Sequence, residues 1–250
     1  NDVTLTDKEF VLLKTELLSR TQTPFGAAKW LKGENGIARI TIPREDVSLG
    51  AMSLVLYSNR DIGGGISSYE VVHQIAKQRS SADGRDRRFD VTLLINGLPI
   101  AQIELKQVTT KDGIYQAFNQ VKKYAEEGVF RNNIFSTLQL FVVSNEQTTR
   151  YFANALPKNM HRKLLFSWRT KNNQKVENLY EFCKQVLNIP DAHRLIADYT
   201  IVSEDQDNKI LMVLHPYQIH AIEALYVSAN KHESGYVWHA TGSGKTLTSF

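Results

Sequence analysis

Along the 250-residue chain the spacing of apolar positions changes repeatedly, and each change marks an element. Over 6–18 the side chains Phe10, Leu13, Leu17 and Leu18 recur at helical spacing, with Thr6 or Asp7 placed as the N-cap. Short alternating runs at 37–42 and 53–57 predict strands, the glycines at 63–65 a loop, and 67–75 fits either a helix or a strand, with strand preferred. The polar, basic stretch 79–88 predicts an exposed loop. Residues 88–95 and 98–106, separated by Asn96-Gly97, are the best hairpin in the sequence. A helix follows over 112–127, with Ile114, Ala117, Phe118, Val121 and Tyr124 on one stripe, and then an uninterrupted β-rich run, 137–144, of the kind that is buried on both faces. Strand, strand, helix, strand is an α/β order. Beyond Tyr151 the pattern turns helical, most clearly over 176–187. A second unit opens near Lys209, with a helix over 216–230 that has Pro216 at its first position, a short strand at 236–238, and a Gly-rich turn into another helix.

Composition narrows the class. With 42% hydrophobic and 22% charged residues the chain can bury a sizeable core, and no apolar run approaches the roughly 20 residues of a membrane span. The first residues carry neither a signal nor a transit pattern. A single cysteine, Cys183, excludes an internal disulfide and a cysteine-based zinc site; it reads as a small buried apolar residue, and the chain as cytoplasmic. The net charge of +4 permits nucleic acid without demanding it. Seven Lys/Arg and no acid lie between Arg150 and Val176, either a solvated face or a phosphate-tracking surface. The sequence starts without Met and stops inside a predicted helix, so it reads as a fragment of a longer protein.

Register carries the chemical argument. A plain two-residue turn would set Asp90 opposite Ile103, mixing acid with apolar side chains. A three-residue loop or a bulge sets Asp90 opposite Glu104 and Val91 opposite Ile103, and only that register sorts the two faces. One face then carries Asp90, Glu104, Lys106 and Gln102 together. Two carboxylates at that spacing suit Mg²⁺, which takes hard oxygen ligands and keeps several waters, while a neighbouring lysine can orient water or offset charge on a phosphate. The same alternation is also that of a solvent-facing strand edge with a Glu/Lys pair beside Asp90.

The pattern Asp90…Glu104-Leu105-Lys106 resembles the D…(D/E)-x-K signature of restriction-endonuclease-like (PD-(D/E)xK) nucleases. The run from Arg88 to Lys106, with Asn-Gly-Leu-Pro at its turn, resembles the restriction subunit of type I restriction-modification enzymes. Phe89 stands where the signature has Pro. The resemblance implies Asp90 and Glu104 as metal ligands and Lys106 as the residue completing the site. Gln120 and Tyr124 match the Q-x-x-x-Y motif shared with the RecB-like group; four residues apart on a helix, they share a face and would orient the scissile strand. As an isolated pair they would read as core packing. An additional acid from a preceding helix is common in the family, and Glu9, Glu16 and Glu70 are unranked candidates.

Residues 236–246 run from an apolar strand into Thr241-Gly242-Ser243-Gly244-Lys245-Thr246. The glycines let backbone N–H groups wrap a phosphate, Lys245 reaches the β/γ oxygens, and Thr246 offers its hydroxyl to Mg²⁺. His239 occupies the position of the pattern's first Gly. Upstream, Gln218 resembles the adenine-reading glutamine of the Q motif in superfamily-two helicases. The spacing of His215, His220 and His239 fits no standard zinc site. The remaining helicase motifs are missing from these 250 residues, so ATP hydrolysis is not expected of them.

Together the motifs imply a restriction-endonuclease-like α/β domain over 1–150, a basic helical connector over 151–205, and the start of a RecA-like helicase lobe over 206–250. The resemblance implies Mg²⁺-dependent endonucleolytic cleavage of double-stranded DNA, ATP-driven translocation, and a complex with methyltransferase and specificity subunits. A RecB-like exonuclease or repair nuclease, and a non-catalytic docking module of a translocase, are the alternatives.

Overall fold

The computed structural model describes residues 4–77, 87–205 and 208–249. The loop expected at 79–88 therefore lies outside them as far as residue 86. Arg87 and Arg88 belong to a strand instead.

Helix α1 (Asp7–Arg20) begins at Thr6. Its hydroxyl accepts from the Glu9 N–H while the Glu9 carboxylate accepts from the Thr6 N–H, a reciprocal capping box that makes Thr6, not Asp7, the cap. Thr23 caps α2 (Pro24–Lys32), and β1 (Ile37–Pro43) and β2 (Ala51–Ser58) form an antiparallel ribbon. The main sheet has the order β3 (Tyr69–Lys77), β4 (Arg87–Ile95), β5 (Leu98–Leu105), β6 (Leu140–Ser144), β7 (Thr149–Ala153). Only β5 and β6 run parallel, and α3 (Gly113–Glu126) is the crossover that a parallel pair requires. The chain is mixed α/β. The strand expected from 137 starts at Leu140, because Ile134–Thr137 closes a 3₁₀ turn: Asn133 accepts from the Phe135 N–H, and the Thr137 hydroxyl donates to the carbonyls of Ile134 and Pro99.

Around β5 and β6 both faces of the sheet are covered, which is why β6 is continuously apolar. One face packs Phe141, Val143 and Phe152 against Phe118, Val121 and Tyr124 of α3. The other packs Ala101, Ile103, Val142 and Tyr151 against Leu31 of α2 and against residues much later in the chain.

Those later residues correct the expected connector. The boundary at 150 falls inside β7, and the segment that follows is not predominantly helical. It runs through two 3₁₀ turns and the short ladder β8 (Trp168–Arg169) with β9 (Lys175–Val176), then α4 (Leu179–Val186) and α5 (Asp191–Ala197). Tertiary burial overrides local propensity here. Phe166 and Tyr151 exchange two backbone hydrogen bonds of 3.0 Å, and Trp168, Val176 and Phe182 close the open sheet face. Of the basic run, Arg150 pairs with Glu177 and Lys171 with Glu223, while Lys158, Arg162, Lys163 and Lys175 are exposed. Cys183 is half-buried.

The hairpin β10 (Thr200–Asp205) and β11 (Asn208–Val213) leads into α6 (Pro216–Asn230), which has the predicted bounds. Val213, Leu214 and Ile219 join the same sheet-face core. The strand expected at 236–238 does not form. No described strand lies beside it to complete a ladder, and Tyr236 and Trp238 are exposed. Helix α7 (Lys245–Thr248) closes the described chain.

Candidate active site

The hairpin of β4 and β5 places the acids. Asn96 and Gly97 form a two-residue turn, both with positive φ (51° and 76°), the geometry that Asn-Gly supplies most readily. Ile95 pairs with Leu98 and Leu94 with Pro99. The register then slips by one, so that Leu93 faces Ala101, Thr92 faces Gln102 and Val91 faces Ile103. The extra residue demanded by face-sorting is therefore a bulge within β5 at Ile100, not a longer turn. The next position along brings Asp90 level with Glu104. There the backbone ladder ends, and Asp90 Oδ2 accepts from the Leu105 N–H at 2.8 Å.

From Glu104 a polar chain runs outward. Lys106 Nζ lies 3.5 Å from Glu104 Oε1 and donates to Gln120 Oε1 at 2.5 Å. Gln120 Nε2 in turn donates to the Tyr124 hydroxyl at 2.5 Å, one turn further along α3. The Tyr124 ring packs among Phe89 and Phe130, so this residue both seals the core and ends the chain of contacts. Gly113 lets α3 begin close to the site: a Cβ there would lie 3.3 Å from Lys106 Cβ. All five residues expected to form the nuclease site, Asp90, Glu104, Lys106, Gln120 and Tyr124, are thus brought together.

Electrostatics follow from burial. Glu104 is fully buried, which together with the charge of Asp90 pushes its carboxyl up to about 7, against the opposing pull of Lys106. Burial, and then the charge of Glu104, raises Tyr124 as well. Glu104 Oε2 makes no hydrogen bond. A buried carboxylate with one idle oxygen, beside a second carboxylate that repels it, is a pair of hard donors suited to a divalent cation. Among the described residues no group of three or more His, Cys, Asp or Glu is arranged to hold a metal. Asp90 and Glu104 are the carboxylates this site offers.

The unranked acids lie elsewhere. Glu9 is held by Thr6, Arg44 and Glu45, Glu16 lies near Arg20, and Glu70 is level with Leu94, away from Asp90. Gln102, which alternation puts on the polar face of Asp90 and Glu104, is fully buried beneath α3, and neither atom of its amide makes a hydrogen bond. The solvent-facing strand edge is excluded with it. Thr92, paired with Gln102, is equally buried and was not singled out by the sequence; only the alternation of β4 placed it on the face of Asp90.

The phosphate-loop residues also come together. Gly242 and Gly244 adopt φ of 78° and 75°, and Lys245 and Thr246 open α7. Ser243 donates from its hydroxyl to the Ala240 carbonyl and lies 3.1 Å from His239 Nδ1. Two residues of α6 tie the loop down: Tyr217 donates to the Ser243 carbonyl at 2.8 Å and Gln218 Nε2 to the Gly244 carbonyl at 3.3 Å. Gln218 Oε1 accepts from the His215 N–H, so in this conformation both ends of its amide are engaged. A cavity of about 520 Å³ opens beside Gln218, Gly242, Gly244 and Leu247.

Residues 60–160 match the family described as type I restriction enzyme R protein N terminus, and residues 211–250 match that of the type III restriction enzyme res subunit. The chain is 40% identical over 178 residues to a type I restriction enzyme endonuclease subunit, SauCOLORF180P, of Staphylococcus aureus (strain COL), and 43% identical over 178 residues to SsaAORF53P of Staphylococcus saprophyticus. Each alignment covers 71% of this chain and 18% of the relative. The Escherichia coli EcoprrI endonuclease subunit is 35% identical over 154 residues, 61% of this chain and 48% of that protein. The chain belongs to the family of type I restriction enzyme endonuclease subunits. It spans about a fifth of the length of the staphylococcal relatives.

Proposed function

We propose that residues up to about 150 form a PD-(D/E)xK nuclease centre that cleaves double-stranded DNA with Mg²⁺, within an ATP-dependent type I restriction enzyme. The carrying observation is the continuous contact from Glu104 through Lys106 and Gln120 to Tyr124, with Asp90 held beside it by the Leu105 N–H. Asp90 and Glu104 would hold the metal. When bound, Mg²⁺ polarises a phosphoryl oxygen and makes a coordinated water more acidic. The Leu105 N–H fixes Asp90. Gln120, itself fixed by Tyr124, keeps the Lys106 ammonium beside Glu104, where it offsets charge developing on the phosphate. The exposed Lys158, Arg162, Lys163 and Lys175 suit backbone phosphates, whose contacts orient DNA without reading its sequence.

Residues from about 206 begin a superfamily-two motor. Thr241 to Thr246 would cradle the ATP phosphates, and Gln218 would turn to the adenine once released from Gly244. In the full-length protein this motor translocates DNA toward the nuclease, and modification (methyltransferase) and specificity subunits supply target recognition. The place of action is the cytoplasm.

Metal binding tests the nuclease reading without requiring the missing partners. Calorimetric titration of Mn²⁺ is expected to give binding in the wild type, and none in Asp90→Ala or Glu104→Ala, with circular dichroism showing all three folded. Equal binding in all three, or none in any with a short duplex present, would overturn it.

A further inference from the structure

Behind the acidic pair lies a group of polar atoms to which the fold gives no partner. Thr92 Oγ1, Gln102 Nε2, Gln102 Oε1 and Glu104 Oε2 are all buried and make no hydrogen bond. All three residues are fully buried. They form a row. Thr92 and Gln102 are directly opposed across the β4–β5 ladder, where facing Cβ atoms stand about 5 Å apart. Gln102 and Glu104 are successive residues of one face of β5, about 7 Å apart along the strand. Their β6 partners, Phe141 and Val143, point into the core that α3 covers, so the row runs under that helix.

Buried polar side chains are ordinarily satisfied, and an apolar pair of the same shape would serve the packing better. Packing alone gives no account of a threonine and a glutamine without partners here. The row ends on a proposed metal ligand. A carboxylate that gives one oxygen to a cation must have its rotamer fixed, and outer partners of metal ligands do this by hydrogen bonding to the carboxylate. On the side of Glu104 away from Lys106 the amide of Gln102 is the neighbouring donor on that face, and the Thr92 hydroxyl can hold the amide from the other side, directly or through one buried water.

We propose that Gln102, backed by Thr92, is the positioning residue for Glu104, fixing its carboxylate for a divalent cation. The inference rests on the nuclease reading and concerns the same site. Neither residue touches the substrate; both act through Glu104.

Two near-isosteric variants separate this from a packing role, Gln102→Met and Thr92→Val. Each is titrated with Mn²⁺ by calorimetry and melted without metal under circular dichroism, beside the wild type and Glu104→Ala. The expected result is a tenfold or greater loss of Mn²⁺ affinity in Gln102→Met and a smaller loss in Thr92→Val, with melting temperatures unchanged or higher. Affinity that is unchanged, or that falls only together with the melting temperature, overturns the proposal and leaves the nuclease reading intact. A wild type whose Mn²⁺ binding is absent or is retained in Glu104→Ala overturns both.

Discussion

Among the described residues Glu9 and Glu104 are fully buried, and their surroundings drive them in opposite directions. Glu9 accepts from the N–H groups of Thr6 and Glu45 and from Arg44, and these bonds lower its carboxyl from 4.5 to about 2. A lowered folded value gives stability that is present above about pH 4.5 and lost as the pH falls toward 2. Glu9→Gln should therefore flatten the acid limb of the stability curve in that window, measured by urea titration at successive pH values; an unaltered slope would contradict this. Glu104 has the opposite sign. Its raised value, about 7, favours the folded state below pH 4.5, and that preference is lost as the pH rises through 7. At pH 8 without metal, Glu104→Gln is expected to stabilise the fold, by about 3 kcal/mol at most, and to abolish Mn²⁺ binding. A loss of stability would show that the carboxylate is not strained. The sequence could say which residues share the face of Asp90, because side chains alternate along a strand. It could not say that α3 roofs that face, so the burial of Gln102 and Thr92 was not legible.

At the scale of elements, legibility followed how local the cause was. The bounds of α6 were readable, as were the two candidate caps of α1, Thr6 or Asp7, and the need for one extra residue, in the turn or as a bulge, to align Asp90 with Glu104, because caps and register are settled by neighbours in sequence or by face-sorting. The segment after Tyr151 was not. Its short ladder and 3₁₀ turns exist because Phe166 and Trp168 find Tyr151, a contact that no local period announces. The strand at 236–238 failed for the converse reason, a correct period with no described strand beside it. The turn itself offers a test. Gly97 has φ of 76° and nothing within 4 Å of where a Cβ would stand, so Gly97→Ala is opposed by backbone conformation alone. It should cost about 1–2 kcal/mol in urea denaturation, with no change in Mn²⁺ affinity. A larger cost, or altered affinity, would mean that the turn governs the register now ascribed to the bulge.

For the whole molecule, the sequence divided what the structure joins. One sheet face is closed by Leu31 of α2, Trp168, Phe182, Leu195 and Ile219, so the expected nuclease domain, connector and motor start share a core. Unfolding is expected to be a single transition. Trp30 and Trp168 pack against or within that core while Trp238 is exposed, so fluorescence of a Trp238→Phe variant should trace the same urea curve as far-ultraviolet circular dichroism. Separated midpoints would restore the division at 150. The same closure bears on how the chain is made. Lys32 of α2 reaches the carbonyls of Ile196 and Ala197, up to 165 residues later. At a synthesis rate of roughly 5–20 residues per second, the apolar side of α2 waits on the order of 10–30 s for the elements that cover it. During that interval the newborn chain presents Ala27, Ala28 and Leu31 to whatever meets it at the ribosome.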